Sequence, residues 1–182
     1  MSRAAPSALV VYESLFDNTA QVARAIVRGL HRAGFEAHSV PVTSIASTGP
    51  VDVDLLLLGA PTHAFSLSRP SSRADAVRHG AAPERAGTGA REWIRTIGPE
   101  RFGTSRVAVF DTRAARVHRL PIAAGVTAAR LLRRRGFHLL RNPVAFLVEG
   151  TRGPLVEGEE DRAERWGRMI GAACLDELDH AA

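Results

Sequence analysis

The sequence predicts a doubly wound α/β protein, a parallel sheet covered by helices on both faces. Three observations predict it. Short apolar runs of strand type alternate with amphipathic helical patterns along the whole chain, which is the order a parallel sheet with crossover helices requires. The strand runs are continuous rather than alternating, as in strands buried on both sides. Two of the helical patterns close on a glycine, Gly34 and Gly136, where a residue without a side chain can take the left-handed conformation.

Residues 8–13 form the first apolar run and read as a buried strand. A polar turn, 14–18, leads into a helical pattern that turns Val22, Ala23, Ile26, Val27 and Leu30 inwards. Residues 37–42 suggest a second strand, and 53–58 form the clearest strand in the chain, running into Gly59-Ala60-Pro61. In the long connection that follows, 89–97 looks helical. The stretch 69–89 is rich in Ala, Gly, Pro and Arg and is expected to be a mobile surface segment. Residues 106–110 are the fourth strand and 123–135 the next helix. Residues 138–148 hold a fifth strand bent near Asn142-Pro143, and 159–178 make the closing helix. Neither an internal repeat nor a linker interrupts this order, and 182 residues suit one domain, 1–182.

Composition narrows the function classes. With 45% hydrophobic and 24% charged residues the chain is of globular type and far from a disordered one. Its longest apolar run, 55–60, is too short to cross a bilayer, so no membrane partner is expected. Residues 1–7 do not read as a signal peptide, which places the protein in the cytoplasm. Cys174 is the only cysteine; it permits neither an intramolecular disulfide nor a multi-cysteine metal site and reads as a core thiol. The formal net charge is +5 and every basic side chain apart from histidine is an arginine. Arginine suits planar carboxylate and phosphate partners, but a lysine-free chain rich in Ala, Gly and Arg also matches a GC-rich coding sequence, and nucleic acid is not an expected partner. Arg130, Arg133, Arg134 and Arg135 crowd one helix end, and Glu157, Glu159, Glu160 and Asp161 the start of another. Both placements suit the helix dipole; the arginines read as a solvated face, with a partner or nucleic-acid site as the alternative, and the acidic group needs no function.

Sheets of this kind bind ligands just beyond the carboxyl ends of their strands, where the strand order reverses. Three such ends carry unusual polar segments. The first is Ser14-Leu15-Phe16-Asp17-Asn18-Thr19, between strand one and its helix. Small hydroxyl and amide side chains beside the free N–H groups of a helix start can surround a phosphate, with the dipole adding about 0.3–2 kcal/mol. The same residues serve equally as a helix cap. The second is Gly59-Ala60-Pro61-Thr62-His63-Ala64-Phe65, which brings donors and a flat ring to the same region; His63 alone reads equally as a solvent-facing loop residue, and Phe65 as a core anchor. The third is Asp111-Thr112-Arg113, after strand four, with Arg116 and His118 downstream; its plain alternative is an exposed charged turn.

Taken together, these segments resemble the flavodoxin family. Ser14-x-Phe16-x-Asn18-Thr19 is similar to the family's phosphate loop, Gly59-Ala60-Pro61-Thr62-His63 to its second, flavin-flanking loop, and Phe110-Asp111-Thr112-Arg113 occupies the place of the third. Glu149-Gly150-Thr151-x-Gly153-Pro154-Leu155 is similar to the stretch before the family's last helix, so the resemblance spans nearly the whole chain. It implies a flavodoxin-like doubly wound five-stranded parallel sheet of order 2-1-3-4-5 with helices on both faces. It also implies FMN at the switch point, a rule of which flavodoxin is itself an example. Carried over by position, Ser14, Asn18 and Thr19 take the phosphate, within a loop completed by Leu15, Phe16 and Asp17. Pro61, Thr62, His63, Ala64 and Phe65 line one side of the ring, and Asp111, Thr112 and Arg113 the other.

The implied function is FMN-based electron transfer to a redox partner protein, and the basic charge calls for an acidic docking face on that partner. A redox carrier is expected rather than a dedicated oxidoreductase, since no general base or nucleophile stands out. The alternatives are an NAD(P)H-dependent flavin or quinone reductase on the same fold, and an interaction module that has lost FMN. Two departures from the family pattern bear on this choice. Asp17 stands where the family has glycine. Pointing inwards, its carboxylate would repel a phosphate by about 3 kcal/mol per charge pair at ~5 Å and an effective dielectric near 20; pointing to solvent, it would matter little. Neither flanking loop carries Tyr or Trp, and Trp93 and Trp166 fall in helices where they read as packing residues.

Overall fold

The computed structural model describes residues 5–45, 49–104, 106–117 and 123–181, so His118 lies outside the described residues. Its elements follow in the order β1 (Ser7–Tyr12), α1 (Asn18–Arg32), β2 (Glu36–Pro41), α2 (Val42–Ile45), β3 (Leu55–Pro61), α3 (Pro70–Arg78), α4 (Ala90–Arg95), β4 (Arg106–Ala114), α5 (Ala124–Arg134), β5 (His138–Leu139), β6 (Val144–Val148) and α6 (Glu159–Ala181). All strand pairs are parallel, in the order β2-β1-β3-β4 with β5 and β6 both on the far side of β4. The fifth position of the 2-1-3-4-5 order is therefore filled by two short strands. The break between them falls over 140–143, where Pro143 has no N–H to offer the ladder.

Every second residue of the central strands belongs to one of two cores. Leu9, Val11, Leu56, Leu58, Val107 and Val109 pack under Trp93 and Ile94 of α4 and Ala128 and Leu132 of α5. Ala8, Val10, Leu55, Leu57, Ala108 and Phe110 pack under Ile26 and Leu30 of α1 and Ile170 and Cys174 of α6. This is the period of two of a strand buried on both faces, and it makes the sheet a wall between two helical layers. Trp166 meets Phe110 and Phe146 edge-on, at 6.1 and 6.2 Å between ring centroids, and Trp93 meets Phe102 at 5.8 Å. Both tryptophans are thus packing residues, and Cys174 is fully buried. Arg130, Arg133, Arg134 and Arg135 are exposed. Within the acidic group at the start of α6, Glu159 is turned inwards. It is buried, takes the N–H of Leu147 at 2.6 Å, and its carboxyl is held below the ordinary value by Arg162 and that backbone donor, against the opposing effect of burial. Among the described residues no helix is long and apolar enough to cross a membrane.

Two sequence readings are refined by the structure. The stretch 69–89, expected as a mobile surface segment, lies mostly at the surface but holds regular structure that its composition does not announce, α3 and a 3₁₀ turn, Pro83–Ala86. Pro70 at the first helical position and Ser72, whose hydroxyl accepts the Arg69 N–H at 2.9 Å, are helix-start signals that the Gly/Pro/Arg-rich composition masks. Arg73 then anchors the helix inwards, almost fully buried. Strand β4 also runs four residues beyond Phe110, to Ala114. Asp111 and Thr112 pair with Ala60 and Pro61 on one side and Ala145 and Phe146 on the other, so they belong to the sheet and not to a loop.

Candidate functional site

The carboxyl ends of β1, β3, β4 and β6 surround a hollow of about 280 Å³, near the lower end of small-ligand pockets, about 300–1,000 Å³. Of the residues singled out in the sequence, Ser14, Leu15, Phe16, Asn18, Thr19, Pro61, Thr62, His63, Ala64, Phe65, Thr112 and Arg113 line it; Asp17 and Asp111 do not.

The first wall is the turn from β1 into α1. Leu15 is buried and pins the turn against Ala76 and Ala81, with Phe16 packed alongside. The Ser14 hydroxyl accepts the Ala20 N–H at 3.2 Å, so it does cap α1, though from six residues upstream. Asn18 donates from its side chain to the Arg152 carbonyl at 2.9 Å, and Thr19 shares a 2.8 Å hydroxyl contact with Thr112. These bonds hold the turn while the backbone N–H groups of Leu15, Phe16, Asp17, Asn18 and Thr19 find no acceptor among the described residues. Asn18 and Thr19 are buried. Unsatisfied N–H groups in buried residues at the positive end of a 15-residue helix make a cradle for an anion.

Asp17 has φ of 69°, the left-handed conformation for which glycine is suited. Its carboxylate turns outwards, 3.2 Å from Arg24 and 3.8 Å from Arg85. The inward placement needed for repulsion of a bound phosphate is not met. Replacing Asp17 with glycine is therefore expected to change FMN affinity by less than about fivefold, the scale of an exposed ion pair. A fluorescence titration that shows a gain of more than tenfold would contradict this placement.

The second wall is the loop after β3. Thr62 continues the ladder by donating its N–H to the Thr112 carbonyl at 2.8 Å, and its hydroxyl accepts the Ala124 N–H at 3.0 Å. His63 and Ser66 exchange backbone hydrogen bonds at 2.8 and 2.9 Å around Ala64 and Phe65, whose φ values are 44° and 64°. Positive φ at both central positions is what a two-residue turn of this kind requires, at about 1–2 kcal/mol for each residue that is not glycine. Arg91 braces it, donating to the Ser66 hydroxyl and to the carbonyls of Leu67 and Ser68. The turn leaves Phe65 46% exposed at the mouth of the hollow, so it is not a core anchor. His63 is half-buried, and burial, with Arg73 nearby, pushes its imidazole below the ordinary histidine value.

Under both walls lies Asp111, fully buried. Arg113 grips it in a fork, Nε to Oδ1 and an Nη to Oδ2, both at 2.8 Å. Thr62 donates to it at 3.3 Å and the Gly125 N–H at 3.2 Å. One carboxylate thus ties β4, the β3 loop and the start of α5 together, and the alternative of an exposed charged turn gives way to a buried ion pair. A second buried network supports the first wall from behind. Glu13 ends β1, accepts the Ser68 hydroxyl and takes the Ala90 N–H at 2.8 Å. Ser68 in turn accepts from Arg73 at 2.9 Å, and Arg73 reaches Glu92 at 3.1 Å. Burial pushes the Glu13 carboxyl above its ordinary value, against these donors.

The hollow also takes in Ala114 and Val148, which the sequence reading did not single out, and Arg116, Gly150 and Thr151, which it named without a role. The Gly150-Thr151 pair follows the last strand, and its place at a carboxyl end was the signal available. Among the described residues, no group of three or more His, Cys, Asp and Glu side chains could hold a metal ion.

No family model matches the chain, and no curated protein matches it in sequence. Solved structures do. A flavodoxin from Pseudomonas aeruginosa, in a cysteine-to-serine variant, superposes with a TM-score of 0.60 at 16% identity, over 92% of this chain and 98% of that one. A flavodoxin from an archaeon gives 0.57 at 15% identity, over 92% and 98%. The flavodiiron core from Synechocystis gives 0.58 at 15% identity over 95% of this chain, which spans only 37% of that protein. At these identities the likeness establishes architecture: the fold is flavodoxin-like.

Proposed function

We propose that this chain, as one domain over 1–182, binds FMN in the hollow and serves as an electron-transfer protein. The observation that carries the reading is the start of α1, where Asn18 and Thr19, buried and lining the hollow, have N–H groups without acceptors among the described residues, while the Asp17 carboxylate pairs outwards with Arg24. In this reading the N–H groups of residues 16–19, with the Ser14 and Thr19 hydroxyls, hold the phosphate. Pro61 to Phe65 cover one face of the isoalloxazine, and Thr112 and Arg113 the other. When bound, the flavin supplies the redox chemistry. The chain's own residues orient it, and the Asp111–Arg113 pair presents a nearly neutral floor rather than a lone charge.

Flavodoxin structures among the neighbours support FMN as the nucleotide, though at 15–17% identity they speak for the fold before the ligand. The outward Asp17 speaks for this reading over that of a module that lost its cofactor. A net charge of +5 favours an acidic redox partner, and a cytoplasmic setting goes with this reading. The experiment is a titration of FMN fluorescence with the purified protein and with Thr19→Val. Quenching with a defined stoichiometry, weakened about tenfold or more in the variant, is expected, since one hydrogen bond to a charged group amounts to about 1.5–3 kcal/mol. Unquenched FMN would end the proposal.

A further inference from the structure

A second hollow, of about 350 Å³, opens beside the first, and Phe16, His63 and Thr151 form a wall common to both. Its other side is the face of α3 that carries Ser72, Asp75 and His79, and Arg152 stands at its rim. The charges are not balanced. The Asp75 carboxylate is already held by Arg78 at 2.8 Å and by His79 at 3.6 Å. Arg152 is exposed and has no carboxylate partner among the described residues; its guanidinium lies 6.0 Å from the centroid of the Phe16 ring. The cleft therefore joins a flat apolar face to an uncompensated planar cation. Guanidinium pairs with carboxylate and phosphate in a fork and stacks on aromatic faces, so both halves of a recognition site are present.

We propose that this cleft binds a small aromatic anion, a flat ring bearing a carboxylate or a phosphate. The anionic group draws the exposed Arg152 guanidinium away from its place over the Phe16 ring, and the ligand's ring takes that place. Ser72 and His79 offer the polar edge from α3, and the shared His63 brings such a molecule up to the wall of the first hollow. That is the position of a reaction partner for whatever occupies the first hollow. The proposal does not depend on FMN, because none of the groups it uses is needed to hold a flavin phosphate except Phe16, which contributes its backbone there and its ring here.

Calorimetry of the full chain with benzoate and with phenyl phosphate tests it, each against the wild type and Arg152→Gln. The two probes separate carboxylate from phosphate as the preferred group. At least one is expected to bind with single-site stoichiometry, to shift the ring resonances of His79, and to weaken tenfold or more in Arg152→Gln. Absence of heat with both probes, or binding that Arg152→Gln leaves unchanged, would overturn the proposal. Both probes are colourless and need no flavin, so a protein that fails to quench FMN tests this cleft as fully as one that succeeds.

Discussion

Replacing Asp111 with alanine is expected to lower the free energy of unfolding by about 3–5 kcal/mol, the usual result of removing one partner from a buried ion pair. The carboxylate is fully buried and receives four donors: two from Arg113, one from the Thr62 hydroxyl and one from the Gly125 N–H. Its loss takes this carboxylate away from the Arg113 guanidinium, whose side chain is only 12% exposed. The effect reaches the hollow because Thr62 also caps α5 through the Ala124 N–H. Urea unfolding measures the loss; a change below about 1 kcal/mol would mean that solvent replaces the carboxylate freely and that the site's floor is not rigid.

The second large effect belongs to Glu13. Its replacement by alanine leaves the Ala90 N–H without an acceptor, removes the acceptor of the Ser68 hydroxyl and opens a small void, for a loss of roughly 2–4 kcal/mol. Glutamine keeps the shape and can accept from Ala90 while donating to Ser68, so Glu13→Gln should lose less. The pH dependence distinguishes charge from shape. In the unfolded chain Glu13 titrates near 4.5, and in the fold burial moves it higher. Between those two values the native state binds more protons than the unfolded one, so this group's contribution to stability falls as pH rises through the window. The stability difference between wild type and Glu13→Gln is therefore expected to shift against the wild type as pH rises above 4.5. The charged neighbours of Glu13 are Arg73 and Glu92, and both are present in the two proteins compared. A difference that does not vary with pH would show that Glu13 is solvated in the fold.

Both carboxylates illustrate what could be read from the sequence and what could not. Continuous apolar runs such as Leu55 to Leu58 announce buried parallel strands, and the glycines at 34 and 136, with φ of 90° and 92°, end helices where expected. Those signals are local, and the strand order follows from their alternation together with the family resemblance. Asp111 lies at the end of an equally apolar run, but its meaning depends on Arg113 folding back along the same strand and on Thr62 arriving from β3, 49 residues away. The Arg113 fork is only two residues away on the same strand, but no window of sequence contains the Thr62 contact. The same holds for Glu13 and Ala90, 77 residues apart.

Helix α3 was hidden for a different reason. Its composition is that of a loop, and its inward contacts depend on Arg73, a residue type ordinarily exposed but here almost fully buried. The turn at 14–19 was legible as an anion site or as a cap, and it is built as both, with the cap made by Ser14 and the N–H groups left free. Asp17 could not be oriented without Arg24, seven residues on, and Arg85, which the long connection brings back over the turn.

The central claim is that the start of α1 recognises a phosphate. Calorimetric titration with FMN and with riboflavin isolates that group, because the two ligands share the ring and differ in the dianion. The account expects FMN to bind tighter by about a hundredfold or more, a difference of ~2.7 kcal/mol that two charge-assisted hydrogen bonds supply. Equal affinities, or heat from neither ligand, would contradict it.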